Sequence, residues 1–557
     1  MRKKSLWKQT AAMLLAGTMV LSAAGCGPRE QGESSSQPTE NQESSGASDS
    51  GNAKEPGTDG QQEGQVDPNN PWAALDLSEH ETVNCYVIGS LGTDWESVTQ
   101  KAVALIEEKT NTTVNFVHVP WSDFQTKYNL FLTGDEDVDM IYAASWTGFA
   151  DYVRSEAYTP FDMEFVKTWM PLTYQNQPEE SWEVATFDGK IYGIPPASSW
   201  LGGNGFVTTQ DLLDKYGFKA EDIKNMDDLE EYLLAVAAGD NDGLFAFNPQ
   251  NSYPLDSDLL GYHTFGIDAG NITWMLYNYD YDKLGTDEAF DPDKLEWFAE
   301  SDNYREFVLK MAKWNKAGVF PANIMANGTM LNDNFQEGKS AVMGSDPYGA
   351  SSLRATMKER GKEVVYLDCS FDDKSVSMRG GYYGYTTCFP VYSEKMERSA
   401  VVLDCMKYDE EVHLLLMGGI EGEHYILDRE TNTRDLGPRA EAYPWGGWLY
   451  WIQNNDDPAA KIDEDLQKYQ DKYLAAEVSM DNFPVSGFSY NGTQYEAELA
   501  VLNALFNEYR FSFCFGVFQD NTEAKLEEFI RRCKEAGIDD IIADYKRQVK
   551  EYTENLN

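Results

Sequence analysis

Residues 82–95 read Thr-Val-Asn-Cys-Tyr-Val-Ile-Gly-Ser-Leu-Gly-Thr-Asp-Trp and join a β-rich run to a glycine-containing loop. The first half has the β-branched and aromatic residues that favour a strand, and apolar residues at helical spacing follow the loop. These apolar residues are Val98, Ala102, Leu105 and Ile106. The stretch therefore predicts a strand, a loop and a helix in succession.

The same order of elements repeats immediately downstream. A second strand is predicted at residues 114–119 and a third at residues 138–143. Between them lies a predicted helix that Ser122 caps and Gly134 ends. Its apolar face carries Phe124, Tyr128, Phe131 and Leu132. Repeated β-α-β units predict a parallel sheet covered by helices, which is an α/β fold.

Two loops leave the carboxyl ends of these predicted strands, where ligands bind in sheets of this kind. One loop carries Asp94 and Trp95, and the other, at residues 144–149, carries Ser145 and Trp146. Each loop places a flat apolar ring beside hydrogen-bonding groups, the combination that suits a sugar ring. We therefore predict that these four residues contact a ligand. Packing of either Trp beneath its own loop is the alternative.

The N-terminus has the composition of an export signal. Residues 1–25 combine a basic start with an apolar segment that is too short to span a bilayer. Residues 21–27, Leu-Ser-Ala-Ala-Gly-Cys-Gly, resemble the cleavage box of bacterial lipoproteins. We predict a lipoprotein signal peptide at residues 1–25 and lipid attachment at Cys26. An ordinary secretory signal with an unrelated Cys is the alternative.

The next segment, residues 26–70, is rich in Ser, Gly, Glu, Gln, Asp and Pro and has almost no large apolar residues. Such a composition cannot offset the entropy of ordering, so we predict a disordered acidic leash. No later stretch stays apolar and uncharged for about 18 residues, the length that a spanning helix needs. The remainder, residues 80–557, exceeds what one hydrophobic core organises, and two lobes are expected.

The charge and the cysteines exclude several functions. The formal net charge is −48, whereas phosphate contacts need clustered Lys and Arg, so we predict no nucleic-acid binding and no peripheral binding to anionic lipid. Besides Cys26, the chain has Cys85, Cys369, Cys388, Cys405, Cys514 and Cys533. None are spaced as C-x-x-C, which removes the simplest zinc and redox sites. They are expected mainly as small buried residues, and their pairing is left open.

Several segments, in chain order, resemble the family 1 extracellular solute-binding proteins of ABC importers. They are residues 139–161, 188–195, 227–233 and 335–343. The C-terminal third is similar to the LplA-like lipoprotein subgroup, whose C-terminal region is named DUF3502. That similarity rests on residues 419–425, 487–490 and 536–545.

The resemblance implies a two-lobed, periplasmic-binding-protein-like (class II) α/β fold. Two lobes joined by crossover segments would close on a ligand by hinge motion. Lobe 1 is expected at residues 80–193 and lobe 2 at residues 194–384. Residues 385–557 are expected to return to lobe 1 and to include the DUF3502-like region.

The resemblance also implies further aromatic residues near the cleft. Tyr348 stands where the family often has a Trp that stacks on sugar, and Trp445 lies where the family places other aromatic residues. At the lobe junction, Trp200 and Asn204 are further candidates for ligand contacts. Trp451 has helical spacing to Trp448, so a packing role is the alternative for that pair.

No catalytic, cofactor or metal motif is complete. Residues 338–340, Gly-Lys-Ser, end like a phosphate-binding loop, but Asp333 stands where that loop requires Gly. Residues 280–291 partly imitate a calcium loop, yet Lys283 and Leu284 interrupt its oxygen ligands, and an acidic turn is the better interpretation. We therefore predict no enzyme activity, no cofactor and no metal.

Together these patterns predict a lipid-anchored, monomeric protein on the extracellular face of the membrane. It would capture a carbohydrate, most simply an oligosaccharide, and deliver it to the permease subunits of an ABC importer. Two alternatives stay open. An exported glycoside hydrolase would also use carboxylates and aromatic rings, and the same fold also binds peptides or other solutes.

Overall fold

The computed structural model describes residues 70–89, 91–120, 123–134, 136–144, 147–187, 189–197, 205–239, 243–256, 264–267, 272–278, 290–368, 386–445, 449–474, 485, 488 and 490–555. All of them belong to one unit, Gln65–Asn557. Within these ranges, no helix combines the length and the apolar character that crossing a membrane demands. The predicted signal peptide, leash and Cys26 lie outside the described residues.

The elements alternate between strands and helices along much of the chain. The strands are β1 Glu81–Ile88, β2 Thr112–Val119, β3 Ile141–Ala143, β4 Thr186–Phe187, β5 Lys190–Ile191, β6 Gly205–Thr209, β7 Thr264–Ile267, β8 Met275–Asn278, β9 Glu296–Trp297, β10 Met343–Ser345, β11 Val364–Leu367, β12 Thr386–Cys388, β13 Tyr425–Asp428, β14 Thr433–Leu436 and β15 Ala459–Ala460. The helices are α1 Trp95–Thr110, α2 Phe124–Thr133, α3 Phe149–Arg154, α4 Met163–Trp169, α5 Pro171–Asn176, α6 Gln210–Tyr216, α7 Met226–Ala238, α8 Asp302–Ala317, α9 Leu331–Gln336, α10 Pro347–Glu359, α11 Met396–Tyr408, α12 Glu410–Gly418, α13 Glu464–Leu474, α14 Glu496–Cys514, α15 Thr522–Glu535 and α16 Ile538–Asn555.

The first hydrophobic core is built by residues 72–194 and 388–452. In its sheet, β1 pairs with β2 in parallel along their whole length. A parallel bridge also joins Cys85 of β1 to Met140, the residue just before β3. The predicted β-α-β order and the parallel sheet are therefore confirmed. Helix α2 ends at Gly134 with φ 80°, a left-handed conformation that glycine adopts without strain. The predicted cap Ser122 lies outside the described residues.

The third strand is shorter than predicted, and the side chain of Asp139 bonds to the neighbouring strand just before the third strand begins. Its buried carboxylate accepts a hydrogen bond of 2.8 Å from the backbone N–H of Asn84, and another of 2.7 Å from the Ser393 hydroxyl. The side chain thus takes the place of a ladder partner, and β3 proper begins only at Ile141. From there β3 pairs antiparallel with β12.

The second hydrophobic core is built by residues 206–367 and 485–549. Its strands form the sheets β10-β6-β11 and β7-β8-β9. The C-terminal helices α14 and α15 pack against α8 in an aromatic cluster, in which the Phe298 ring lies 5.6 Å from Phe506 and 6.4 Å from Phe529. A buried ion pair between Asp256 and Arg510 joins α14 to the same core.

Segments that connect the two cores run side by side. Ile194 and Thr387 exchange two backbone hydrogen bonds, of 2.9 and 3.0 Å. The Ala197 N–H donates to the Gln453 carbonyl at 3.1 Å. The chain therefore leaves the first core, re-enters it and leaves it again at neighbouring points. We call the two segments by which it leaves, residues 194–197 and 452–454, the crossover segments.

The cysteines behave as the sequence predicts. Within the described part of the chain, five of them are buried free thiols: Cys85, Cys388, Cys405, Cys514 and Cys533. Burial raises the pKa of each of these thiols. They therefore act as small apolar residues, and Cys369 lies outside the described residues.

Two oppositely charged residues are fully buried on α11. Asp404 accepts hydrogen bonds from the Trp72 indole at 3.0 Å and from the backbone N–H of Thr173 at 2.6 Å. Despite these bonds, burial raises the pKa of Asp404 to about 6. Burial likewise lowers the pKa of Lys407 to about 7, against the opposing field of Asp404 and Asp457.

These shifts predict how stability depends on pH. Above about pH 7, folded Lys407 releases a proton that the unfolded chain keeps up to its ordinary pKa of 10.5, so this residue adds stability as the pH rises. Asp404 acts oppositely between pH 3.8 and about 6, where the folded state holds a proton that the unfolded state has lost. The free energy of unfolding of the native chain minus that of Lys407→Met should therefore increase from pH 7 to 9, by up to about 1.4 kcal/mol per unit.

Urea titrations at several pH values measure this difference. Arg398→Met is the matched control, because Arg398 is a buried basic residue on the same helix. A difference between the native chain and Lys407→Met that stays flat over this range would contradict the assigned shift.

Candidate functional site

The carboxyl ends of the first-core strands face the junction between the two cores. Ile88 pairs with Val119, so the carboxyl ends of β1 and β2 lie at one edge of the sheet. Ala143 ends β3, which runs in the same direction as β1. It pairs with Thr386, where the chain enters β12 after leaving the second core. This edge is therefore the one that faces the crossing segments.

The second core presents one end of its own sheet to the same junction. Ser345 at the end of β10 pairs with Gly205, the first residue of β6, and Leu367 at the end of β11 pairs with Phe206. The chain enters or leaves the second core at Gly205 and Leu367. The turn after β10, which leads to Tyr348, consequently starts at the junction.

In the loop after β1, Asp94 is held by two residues from far along the chain, His424 and Arg439. Its carboxylate accepts a hydrogen bond of 3.0 Å from His424 Nε2 and forms an ion pair with Arg439. The Ile420 N–H donates to the other imidazole nitrogen, Nδ1, at 2.9 Å, which leaves Nε2 as the donor to Asp94. The bond from His424 and the nearby Arg439 hold the pKa of Asp94 below its usual value.

Trp95, the next residue, is half-buried between two rings. It stacks on Tyr443 with 5.9 Å between ring centroids and 11° between planes, and it meets Phe116 edge-on at 5.7 Å. Gly92 in the same loop has no room for a Cβ, which would lie 2.2 Å from the Ala442 carbonyl oxygen. The loop after β1 is thus packed on residues 442–443, and ligand contact by Asp94 and Trp95 stays a prediction.

Trp445 lies in a different environment, beside a guanidinium group. The Arg434 guanidinium carbon is 4.1 Å from the centroid of the Trp445 ring, and Tyr425 meets that ring edge-on at 5.3 Å. Gly418 packs so closely that a Cβ there would lie 2.2 Å from the indole. A guanidinium over an indole face is a cation–π arrangement, which orients both groups.

Tyr348 lies within electrostatic range of the same guanidinium. It lies in the first turn of α10, whose N-cap Asp346 accepts a hydrogen bond of 2.6 Å from the Gly349 N–H. Burial raises the pKa of the half-buried Tyr348, while the positive charge of Arg434 acts in the opposite direction. Arg434 therefore has Trp445 on one side and lies within electrostatic range of Tyr348.

The structure thus places Arg434, which the sequence did not single out, against the predicted residue Trp445 and within electrostatic range of the predicted residue Tyr348. A lone Arg in a polar hairpin carries no signal of its own. Four of the predicted ligand contacts lie outside the described residues: Ser145, Trp146, Trp200 and Asn204. Trp451, for which packing was the alternative, is buried in the first core.

Two aromatic rings, a guanidinium and a junction between two cores suit a ring-shaped polar ligand. Aromatic faces bind the apolar C–H face of such a ligand, and a guanidinium offers fixed N–H donors to its hydroxyl or acidic oxygens. In the portion of the chain that the structure describes, no group of three or more His, Cys, Asp or Glu side chains is placed to hold a metal ion.

Two family models match this chain. Residues 101–383 match the model described as bacterial extracellular solute-binding protein. Residues 484–554 match the domain of unknown function DUF3502. The second match covers helices α14 and α15 and most of α16.

Individual relatives agree with these matches. A carbohydrate ABC transporter substrate-binding protein from Streptococcus pneumoniae serotype 4 is 20% identical over 511 residues, which cover 87% of this chain and 94% of that protein. The solved structure of the N-glycan transport solute-binding protein NgtS from Streptococcus pneumoniae superposes with a TM-score of 0.66 at 16% identity, covering 86% of this chain and all of the other. A human-milk-oligosaccharide (HMO) binding protein of an ABC transporter from Bifidobacterium longum infantis gives 0.58 at 14%, covering 85% and 99%. These likenesses confirm the predicted two-lobed α/β fold.

Proposed function

This chain belongs to the bacterial extracellular solute-binding proteins, and we propose that it captures an oligosaccharide for an ABC importer. The observation that carries the proposal is the Arg434 guanidinium over the Trp445 ring, 4.1 Å from its centroid, with Tyr348 within electrostatic range of that guanidinium. A ring-shaped, hydroxylated ligand would stack on the aromatic faces and receive hydrogen bonds from the polar groups. Capture of this kind needs no catalytic group.

The relatives support the choice of ligand class. One relative is by name a carbohydrate ABC transporter substrate-binding protein, and NgtS was solved with Man1GlcNAc and with Man5GlcNAc. We extend that ligand class, though not those particular sugars, to this chain. The aromatic and guanidinium groups above are compatible with it.

Binding would be coupled to closure of two lobes. We assign the first core to lobe 1 and the second core to lobe 2, with the crossover segments between them. A ligand that contacts Trp445 on one lobe and Tyr348 on the other favours the closed state, because it makes both contacts only there. The closed form would then dock on the permease, while a lipid on Cys26 and the leash keep the protein at the extracellular face of the membrane.

A titration tests this proposal. Soluble protein that begins at residue 70 is titrated with maltotetraose, nystose and Man5GlcNAc while tryptophan fluorescence and binding heat are followed. The same mixtures are analysed for products after long incubation. Saturable binding of intact sugar supports capture. Released monosaccharide would favour a glycoside hydrolase, and a response to peptides alone would favour another solute.

Tyr348→Ala should weaken sugar binding by roughly fivefold, because one stacking ring contributes about 1 kcal/mol. The dissociation constant is measured by calorimetry and the midpoint of thermal unfolding by differential scanning. Tyr392→Ala is the control, since Tyr392 is 61% exposed and packs on Gly134, at the opposite edge of the first-core sheet. Equal affinity losses in both variants would remove Tyr348 from the site.

A further inference from the structure

Lys407 has a fully buried amine that contacts a crossover segment. Its Nζ donates to the Pro195 carbonyl at 2.8 Å and to Gln177 Oε1 at 3.1 Å. Proline has a fixed φ and no N–H, so Pro195 and the following Pro196 form a stiff pair of residues whose carbonyls need donors from elsewhere. An ammonium group supplies three such donors at one point.

The neighbours of Lys407 attach the same segment and its partner. Gln177 Nε2 donates to the Pro196 carbonyl at 2.9 Å, so Gln177 joins Lys407 to both prolines. On the other crossover segment, Asn454 Nδ2 donates to the backbone carbonyl of Lys407 itself. The Ala197 N–H to Gln453 carbonyl bond then ties the two segments to each other. Both crossover segments are therefore hydrogen-bonded to Lys407 on α11.

A contribution to stability alone does not explain why a lysine is buried at position 407. Buried ionic groups contribute little net stability compared with well-packed apolar residues. Arg398, at the other end of α11, is a useful comparison because it is also buried, yet it donates to Thr110 and Asn111 carbonyls within the first core. Of these two cations, Lys407 is the one that directs its donors to the chain that connects the cores.

Two acidic residues and a tyrosine also lie near the Lys407 amine. Asp404 lies on its own helix, and Asp457, which is paired with His413 from α12, lies just beyond the second crossover segment. Tyr408 donates to the same Gln177 oxygen at 3.3 Å. The ammonium is thus surrounded by acceptors and by acids on two sides, which fixes its direction.

We propose that Lys407 is the positioning residue of the hinge: it holds both crossover segments to lobe 1, so that residues 194–197 and 452–454 move with that lobe during closure. This inference rests on the proposed function, because lobe closure matters to a protein that encloses its ligand. Lys407 touches no ligand in this account. It acts by limiting the relative orientations of the lobes.

The test compares the full chain with Lys407→Met and with Arg398→Met. Small-angle X-ray scattering without ligand should show a larger radius of gyration and a broader distance distribution for Lys407→Met only. The dissociation constant for whichever panel sugar binds, maltotetraose, nystose or Man5GlcNAc, should rise about fivefold in Lys407→Met, because a looser hinge lowers the closure-competent fraction. Arg398→Met should lower the unfolding midpoint but leave scattering and affinity unchanged.

The outcomes separate the two claims. If no sugar binds to the native chain, the proposed function fails, and the ligand-free scattering still decides about the hinge. Unchanged scattering for Lys407→Met, or equal changes in both variants, would overturn the hinge role. Lys407→Arg keeps a buried cation with N–H donors, and partial recovery of the native scattering profile in that variant would support it.

Discussion

Arg510→Met is expected to lower the free energy of unfolding by about 3–5 kcal/mol, because it leaves a buried carboxylate without its cation. Asp256 has no exposed surface, and Arg510 binds it with two hydrogen bonds, from Nε at 2.8 Å and from Nη2 at 3.0 Å. Urea unfolding followed by circular dichroism measures the loss. The effect is large because the desolvated charge remains while its partner disappears.

Two variants make this prediction specific. Arg531→Met removes an Arg from α15 whose ion pair with Glu535 is exposed, and it should cost well under about 1 kcal/mol. Asp256→Leu combined with Arg510→Met removes both charges and should recover much of the loss. A double variant as unstable as Arg510→Met would mean that packing of the long Arg side chain, rather than the charge, is the source.

Gly516→Ala is expected to destabilise the protein by about 2–5 kcal/mol, from strain and overlap together. Gly516 has φ 59°, in the left-handed region, and a Cβ there would lie 2.0 Å from the Met311 carbonyl oxygen and 2.3 Å from the Met311 carbonyl carbon. Both atoms belong to the backbone of α8 and cannot move aside as a flexible side chain would. The C-terminal helices would have to withdraw from α8.

Gly338→Ala separates the two contributions. Gly338 has φ 72°, and a Cβ at this position would meet nothing within 4 Å in the described part of the chain, so its replacement adds strain alone, about 1–2 kcal/mol. Thermal unfolding of both variants gives the comparison. Equal losses would show that the close approach to Met311 relaxes at no cost.

Both substitutions probe how the DUF3502 region joins the rest of the chain. Arg510 reaches Asp256 and Gly516 touches α8, and both partners lie in the second core. The rings of Phe506 and Phe529 fill the same aromatic cluster around Phe298. The region of residues 484–554 therefore completes that core.

The elements of the first core could be predicted from short segments because their signals are local. Strand β1 and helix α1 follow from β-branched runs and helical spacing, and the buried positions Val98, Ala102 and Ile106 match that spacing. The family resemblance, which rested on short ordered segments, is confirmed by matches over residues 101–383 and 484–554. The late start of β3, at Ile141 and not at residue 138, was missed, because the hydrogen bond from the Asn84 N–H to the Asp139 side chain just before it joins residues far apart in the chain.

The α/β class, the order of the elements and the presence of Trp and Tyr in loops follow from the sequence alone, because propensity and periodicity act over a few residues. The partner of each ring depends on the tertiary structure. Trp95 stacks on Tyr443, and Trp445 lies under Arg434 within electrostatic range of Tyr348. Trp95 meets Tyr443 because the chain returns to the first core, and no local pattern encodes a contact between residues so far apart in the chain.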